Sequence, residues 1–483
     1  MIRRENNLPD TPLWNALCRQ ADRVSFHMPA HRQGRVFSDE MIRTLARCDT
    51  TELERTGDLA EPEGHVRQAY ELAARFFGAG ETWFITTGTT TAIRIMLACA
   101  LREGDEVVMP RAVHMAAVHA AALLGLRPRF VRPNSGKPFR DGQPDAESFI
   151  AAMRAHPQAK ACYVTRPDYY GNTVDLRDIA EEAHRLGMVL LVDEAHGAHF
   201  VAAPEMLPPT ALSQGADIAA QSAHKTLPAL TPASLLHLSG ESIACGRISP
   251  RRCASLVRVF QTSSPSFLIA ASTDIARAML ERDGRACVER LVHLNRQLSD
   301  SLPAYYRRIC PPGTDLARLV IDYAGTGLTR AEFAGKLDQS GIDAELVDSR
   351  RAVFIPSIDQ PEEDYAILSE ALCSIRPEKN TVQMDRHVRA IEELESMRDS
   401  LLSAEADFLM SPRQALFGSR PDAPLHPLSV PDANRLAAEP AAHIIAPYPP
   451  GMPIVWPGEP VTEQHRRYLR MLTAADTGVR VRE

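Results

Sequence analysis

From about Gly64 to Leu238 the chain alternates two hydrophobic periodicities, and this alternation restricts the possible folds more than any other feature. Val66, Tyr70, Ala73 and Phe77 fall on one helical face, which Gly78 can end in a left-handed turn. A β-prone run from Thr82 to Ile85 follows, then a loop of small hydroxyl residues. Ile93, Met96, Leu97 and Leu101 mark another helical face, ended by Gly104, and Glu106 to Met109 reads as a strand. Helices are expected near Met115 to Leu124, Ala146 to Ala155 and Leu176 to Leu186, alternating with strands at Pro128 to Val131, Ala161 to Val164 and Val189 to Val192. Strands separated by such helices imply an α/β fold with a mainly parallel sheet, helices on both faces, and ligands at the carboxyl ends of the strands.

Beyond about Thr273 the texture changes. Long helical stretches lead to strand-like runs at Leu319 to Asp322 and Val353 to Ile355, the pattern of a second, smaller α/β unit. Pro377 and Glu378 mark a boundary, followed by a charged helix near His387 to Leu402 and a proline-rich end that includes Pro447 to Gly451 and Trp456 to Glu459. Such proline density excludes regular helix but suits a packed arm. The expected organisation is an N-terminal segment over 1–60, a large cofactor-binding domain over 61–272, a small α/β domain over 273–376 and a C-terminal domain over 377–483.

Charge and composition remove several function classes. Lysine and arginine total 54 against 61 acidic residues, a formal charge of −7, so nothing general favours nucleic acid or an anionic membrane as a partner. No apolar run approaches the roughly 20 residues of a membrane span. The start, MIRRENNLPDTPLW, has no apolar core of a secretory leader. Nine cysteines scattered singly, with no C-x-x-C pair, argue against a disulfide framework and a zinc knuckle, so no metal site and a reduced, cytoplasmic location are expected.

Three loops that follow strands carry the chemistry. The first, Thr86 to Ala92, runs hydroxyl residues straight into a helix, so N–H groups, hydroxyls and the helix dipole converge as they would around a phosphate. The second, Asp193 to Gly197, delivers a carboxylate at the end of an apolar strand, and the third, Gln221 to Thr226, presents Lys225. Each has an ordinary reading alone, as a helix start, a cap or a surface charge. Together they meet the needs of pyridoxal 5'-phosphate: an amine to form an imine, a carboxylate to keep the pyridine nitrogen protonated, and a phosphate cradle. Lys225, Asp193 and the Thr89, Thr90, Thr91 loop fill those places.

The runs His27-Met28-Pro29-Ala30-His31-Arg32-Gln33-Gly34, Pro62-Glu63-Gly64, Arg111-Ala112-Val113-His114, Tyr169-Tyr170-Gly171, Asp193 to His199, Ser222 to Thr226, Thr262 to Ser266, and the terminal Tyr-Pro-Pro-Gly and Pro-Gly-Glu resemble the bacterial ornithine/lysine/arginine decarboxylases, in order and over nearly the whole chain. The resemblance is closest to short members without an N-terminal receiver-like domain. It implies an aspartate-aminotransferase-like fold (fold type I), a homodimer as the minimal unit, and residue roles. Lys225 would bond the cofactor, Asp193 would hold its ring nitrogen, and His114 would stack on the ring face opposite Ala195. Thr89, Thr90, Ser222 and His224 would contact the phosphate, with Lys225 or His224 returning a proton to the substrate carbon. His196 would line the substrate side.

Some positions depart from the family pattern: Ala30 and Arg32 in the first motif, Met115 after His114, Ala223 in place of threonine, and Arg166 with Asp168 before Tyr169. The expected activity is decarboxylation of arginine, lysine or ornithine, with polyamine biosynthesis as its setting. Asp168 is the acid expected to meet the substrate's distal cation; the other outcomes for it are protonation or neutralisation by Arg166. The departures also leave open an aminotransferase or an oxidative decarboxylase, and, further off, a non-catalytic regulator that binds the cofactor.

Overall fold

The structure is a computed structural model, and it describes residues 12–20, 23–45, 47–134, 138–377, 381–405, 408–418, 440–448, 451–475 and 480–482. Glu378, Pro449, Pro450 and the first eleven residues, which the sequence reading used, lie outside the described residues.

A short strand, β1 (Val24–Phe26), precedes a seven-stranded sheet made of β2 (Glu81–Ile85), β3 (Glu106–Met109), β4 (Arg127–Phe130), β5 (Ala161–Thr165), β6 (Val189–Asp193), β7 (Ile218–Gln221) and β8 (Ser234–Leu238). The order across the sheet is β2-β8-β7-β6-β5-β3-β4. Only β8 runs against its neighbours, antiparallel to both β2 and β7, so the sheet is mainly parallel as the alternation predicts. Leu191 of β6 packs into the core on one face while Leu190 and Val192 pack into the core on the other. Burial on both faces is why this strand reads as an unbroken apolar run rather than an alternating one. Helices Gly64–Phe77 and Thr89–Ala100 cover the first face; Ala146–Ala155 and Arg177–Arg185 cover the second.

Helix ends follow local chemistry. Gly78, at φ +71°, ends the first of these helices by donating to the Ala74 and Arg75 carbonyls. The next helix stops at Ala100, earlier than Gly104 suggests, because Asp105 accepts the Arg102 N–H at 2.7 Å and folds a separate turn there.

A continuous helix of 35 residues, Phe267–Ser301, leads into the smaller unit, and the expected 272/273 boundary lies inside it. There β9 (Arg307–Arg308), β10 (Leu319–Asp322), β11 (Ile342–Ala344), β12 (Leu346–Val347) and β13 (Arg351–Phe354) follow. Four of them form an antiparallel sheet in the order β12-β13-β10-β9, while β11 pairs in parallel with β1. The N-terminal segment is thus built into the small unit, where Phe26 meets the edges of Phe354 and Tyr365 at 5.7 and 5.5 Å. The C-terminal part contributes helices Thr381–Leu402, Pro412–Phe417 and Glu463–Ala475, and an antiparallel pair of β14 (Ala446–Tyr448) and β15 (Arg480–Arg482). Among the described residues no helix is long and apolar enough to cross a membrane.

Two buried charge clusters join these parts. Arg351 of the small unit donates to both oxygens of Asp141 at 2.8 and 3.0 Å, and Arg398 of the C-terminal part reaches the same carboxylate at 2.6 Å. Arg111 forks onto Glu459 at 2.6 and 2.8 Å, and the adjoining Trp456, fully buried, donates to the Arg111 carbonyl at 3.3 Å. Bidentate geometry and additional partners are what let such pairs tolerate the loss of water.

Gly80 precedes β2 where the backbone meets Gly240: a Cβ at Gly80 would lie 2.6 Å from the Gly240 Cα. The contact is backbone on backbone, so no rotamer change relieves it. Gly80→Ala is expected to cost about 1–3 kcal/mol, as overpacking does. Gly335→Ala, in an open helical position, should be neutral or gain up to about 1 kcal/mol. Urea unfolding midpoints of the two variants check the contrast.

Candidate active site

The carboxyl ends of β2, β5, β6 and β7 open onto a cleft of about 280 Å³, the scale of a small-molecule site. After β2 the chain turns through Gly88 at φ +84°, where a Cβ would sit 3.3 Å from the Pro232 Cβ, and enters helix Thr89–Ala100. The free N–H groups and dipole of this helix start face the cleft. Thr89 Oγ1 bonds the Ser222 hydroxyl and, at 2.8 Å, the Ser234 hydroxyl, which in turn donates to the Gln221 carbonyl at 2.7 Å. Thr90 and Ser222 line the cleft. The Thr87 hydroxyl also lies there, buried and without a hydrogen-bond partner. The Thr91 hydroxyl donates to the Thr87 carbonyl at 3.2 Å across the first helical turn.

Asp193 is the last residue of β6 and is buried. Its Oδ2 accepts from the Tyr163 hydroxyl and its Oδ1 from the Ala195 N–H, both at 3.1 Å. Burial pushes this carboxyl up, while the Lys225 charge and the two donors pull it back toward the ionised form. Lys225 sits on the single turn Ala223–Thr226 that follows β7. Lost hydration lowers its ammonium, opposed by Asp193 and Glu345. Glu194, one position on, leaves the cleft: it accepts from Arg166 at 3.3 Å, Gln221 at 2.8 Å and the Ala211 N–H at 2.9 Å, and burial raises it to about 7.

Three histidines line the cleft. His114 caps helix Met115–Leu124, its Nδ1 accepting the Ala116 N–H at 3.1 Å, so the neutral ring carries its proton on Nε2. His224 directs Nδ1 to the Ala233 carbonyl at 2.8 Å, which leaves Nε2 as its acceptor, and burial lowers it to about 4. His196 Nε2 is 3.0 Å from Lys225 Nζ. Ala195 also lines the cleft.

Asp168 reaches the cleft as well, although much of its carboxylate is spent on its own turn. It accepts the N–H groups of Tyr170 and Asn172 and the Asn172 side-chain amide, each at 2.8 Å. Arg166 does not neutralise it, since that guanidinium goes to Glu194 and the Val174 carbonyl. The Thr262 to Ser264 run is exposed and outside the cleft.

Sequence reasoning missed four neighbours of the site: Tyr163, Asp141, Arg318 and Glu345. Glu345 has a side chain only 3% exposed, accepts from Tyr169 and the Met28 N–H, and acts on Lys225. It lies between two short strands of the small unit, where no motif draws attention to it. Tyr163 alone was within reach of pattern reading, since it stands on β5 next to the strand that ends in Asp193.

The sequence profile of the Orn/Lys/Arg decarboxylase major domain matches residues 11–308, and that of the family's C-terminal domain matches 428–479. The chain belongs to the Orn/Lys/Arg decarboxylase family. It is accordingly a decarboxylase enzyme. Its relatives include an arginine decarboxylase of Bacillus subtilis, 32% identical over 95% of this chain and 93% of that protein. A second B. subtilis protein, the uncharacterized YaaO, is 32% identical over 97% of this chain and 96% of its own length. Among solved structures, lysine decarboxylase A from Pseudomonas aeruginosa superposes with a TM-score of 0.74 at 20% identity, over 92% of this chain and 73% of that one. That likeness establishes the fold, of the aspartate-aminotransferase type.

Tyr163→Phe removes one donor from the buried Asp193 carboxylate. A loss of about 1.5–3 kcal/mol is expected for a hydrogen bond to a charged group. Urea denaturation of the variant beside wild type measures it.

Proposed function

We propose that the protein releases the α-carboxyl group of a basic amino acid, arginine, lysine or ornithine, as carbon dioxide, using pyridoxal 5'-phosphate in this cleft. One observation carries the reading: Lys225 and the buried carboxylate of Asp193 line a single cleft whose other wall is a hydroxyl-lined helix start. The residues suit the cofactor. The buried, unpartnered Thr87 hydroxyl supplies a donor at the helix start, and Asp193 keeps donors enough to stay ionised beside a protonated ring nitrogen. Thr89, Thr90 and Ser222 would hold the phosphate, Lys225 the aldehyde carbon, and His114 and Ala195 the two ring faces; His224 would join the phosphate contacts by taking up a second proton on Nε2, which a bound anion favours. Bound there, the cofactor supplies an electron sink for the carbon that loses carbon dioxide.

The chain's own groups then divide the work. Burial draws the Lys225 ammonium toward the neutral amine while Asp193 and Glu345 hold it charged, and the amine is the form that can bond a carbonyl carbon and afterwards exchange protons. Without the anion, His224 keeps an unprotonated Nε2, its Nδ1 proton being held by the Ala233 carbonyl. Asp168 is our candidate for the substrate's distal cation. A carboxylate has about four acceptor sites, so three donors leave one free. Glu345 adds negative charge on the same side. The same reading includes a homodimer or a multiple of it, located in the cytoplasm.

Incubation with arginine, lysine and ornithine separately is the direct test. The matching amine and carbon dioxide should form without oxygen uptake; a keto acid or oxygen consumption would replace this reading with transamination or oxidation. Borohydride should fix the cofactor to Lys225, and an adduct on another lysine would end that assignment. Lys225→Ala should lose turnover by orders of magnitude.

Asp168 gives a pH prediction. Burial raises its carboxyl to about 6, so it is neutral below that pH and negative above. Affinity for a cationic substrate should therefore increase as pH rises through 6. In Asp168→Asn this limb should vanish and KM should rise strongly, as measured by kcat/KM against pH.

A further inference from the structure

His196 lies between the reactive lysine and a buried arginine. Its Nε2 is 3.0 Å from Lys225 Nζ, and its Nδ1 is 3.5 Å from Nη1 of Arg318. A guanidinium offers only N–H donors and stays charged, so the ring nitrogen facing it has to be the unprotonated one. With Lys225 as the free amine or as an imine nitrogen, either of which has a lone pair, the neutral ring then carries its proton on Nε2, directed at the lysine.

Arg318 is itself fixed in place. Its side chain is 1% exposed, its Nη1 also donates to the Tyr169 carbonyl at 3.2 Å, and Asp315 balances its charge at 3.9 Å. Asp315 in turn accepts from the Ala317 N–H at 2.9 Å and pairs with His199 Nε2 at 3.1 Å. Gly171 leaves space for the arginine stem, since a Cβ there would lie 3.2 Å from the Arg318 Cβ. The charged and titratable groups acting on His196 are Lys225, Arg318, His114 and His224, and all of them oppose its protonation. Burial does the same, so the imidazole is held far below its ordinary value.

We propose that Arg318 is a positioning residue that locks His196 in the neutral tautomer with its Nε2–H aimed at Lys225. The cleft thereby keeps an uncharged donor beside its reactive amine, able to hydrogen-bond a lone pair on that nitrogen or on an atom that replaces it. The inference rests on Lys225 as the reacting group, but its test does not depend on which amino acid is consumed.

The measurement is nitrogen NMR of histidine-labelled full-length protein, with and without pyridoxal phosphate, the His196 signals being those missing in His196→Gln. Wild type should show an unprotonated Nδ1 and a protonated Nε2 from about pH 6 to about pH 9, bracketing the ordinary imidazole range. Arg318→Met should show both nitrogens averaged between tautomers and titration moved toward the ordinary range. Arg318→Lys, which restores a donor, should return the single tautomer. Turnover in Arg318→Met should fall by roughly 10-fold or more in kcat, below the full loss of a proton donor. Wild type with its proton on Nδ1, or Arg318→Met with unchanged nitrogen shifts, overturns the proposal. If Arg318→Met does not fold, Asp315→Asn decides: mixed tautomers support the lock, and an unaltered His196 spectrum overturns it.

Discussion

A carboxylate held out of water at the end of β6 is the constraint on which the rest of the structure turns. Asp193 would protonate in an apolar setting, and the fold surrounds it with compensation: the Tyr163 hydroxyl, the Ala195 N–H and the charge of Lys225. They come from the middle of β5, the loop after β6 and the turn after β7. The parallel register of β5, β6 and β7 sets their relative positions, because Thr165 stands beside Asp193 and Asp193 beside Ala220. A one-residue slip of β6 would turn Asp193 to the opposite face and leave the lysine without its partner.

The cleft also depends on closure by chain segments far away in sequence. Arg111, three residues before His114, is anchored by Glu459 from the C-terminal part, which explains physically why Arg-Ala-Val-His and Pro-Gly-Glu occur in the same chain. Asp141 lines the cleft while it binds Arg351 and Arg398 from the other two parts. The N-terminal segment closes a further side through the Ala30 N–H, which donates to the His224 carbonyl at 3.0 Å. These buried contacts connect the geometry of the site to the docking of all parts of the chain.

Besides Asp141, four carboxylates near the site have different environments, and that separation underlies the reading of function. Asp193 faces Lys225, Glu194 is turned into a buried pair with Arg166, Asp168 caps its own turn while keeping an edge in the cleft, and Glu345 lies buried beside the lysine from the small unit. Adjacent Asp193 and Glu194 diverge because successive residues of an extended chain point to opposite sides.

The sequence by itself determined the α/β layering, the order of the strands along the chain, and the loops that supply Thr89, Asp193, Ser222 and Lys225. Those features are local: hydrophobic period, glycine punctuation and strand-end loops are all written in contiguous residues. It also marked His114, His196 and His224 by their motifs. Only the tertiary structure decided that Arg166 belongs to Glu194, that Glu345 and Arg318 reach the site, and that the N-terminal strand joins the small unit. These pairings join residues separated by tens to hundreds of positions, and they are selected by burial, which forces each polar group to find a partner wherever the folded chain brings one within reach.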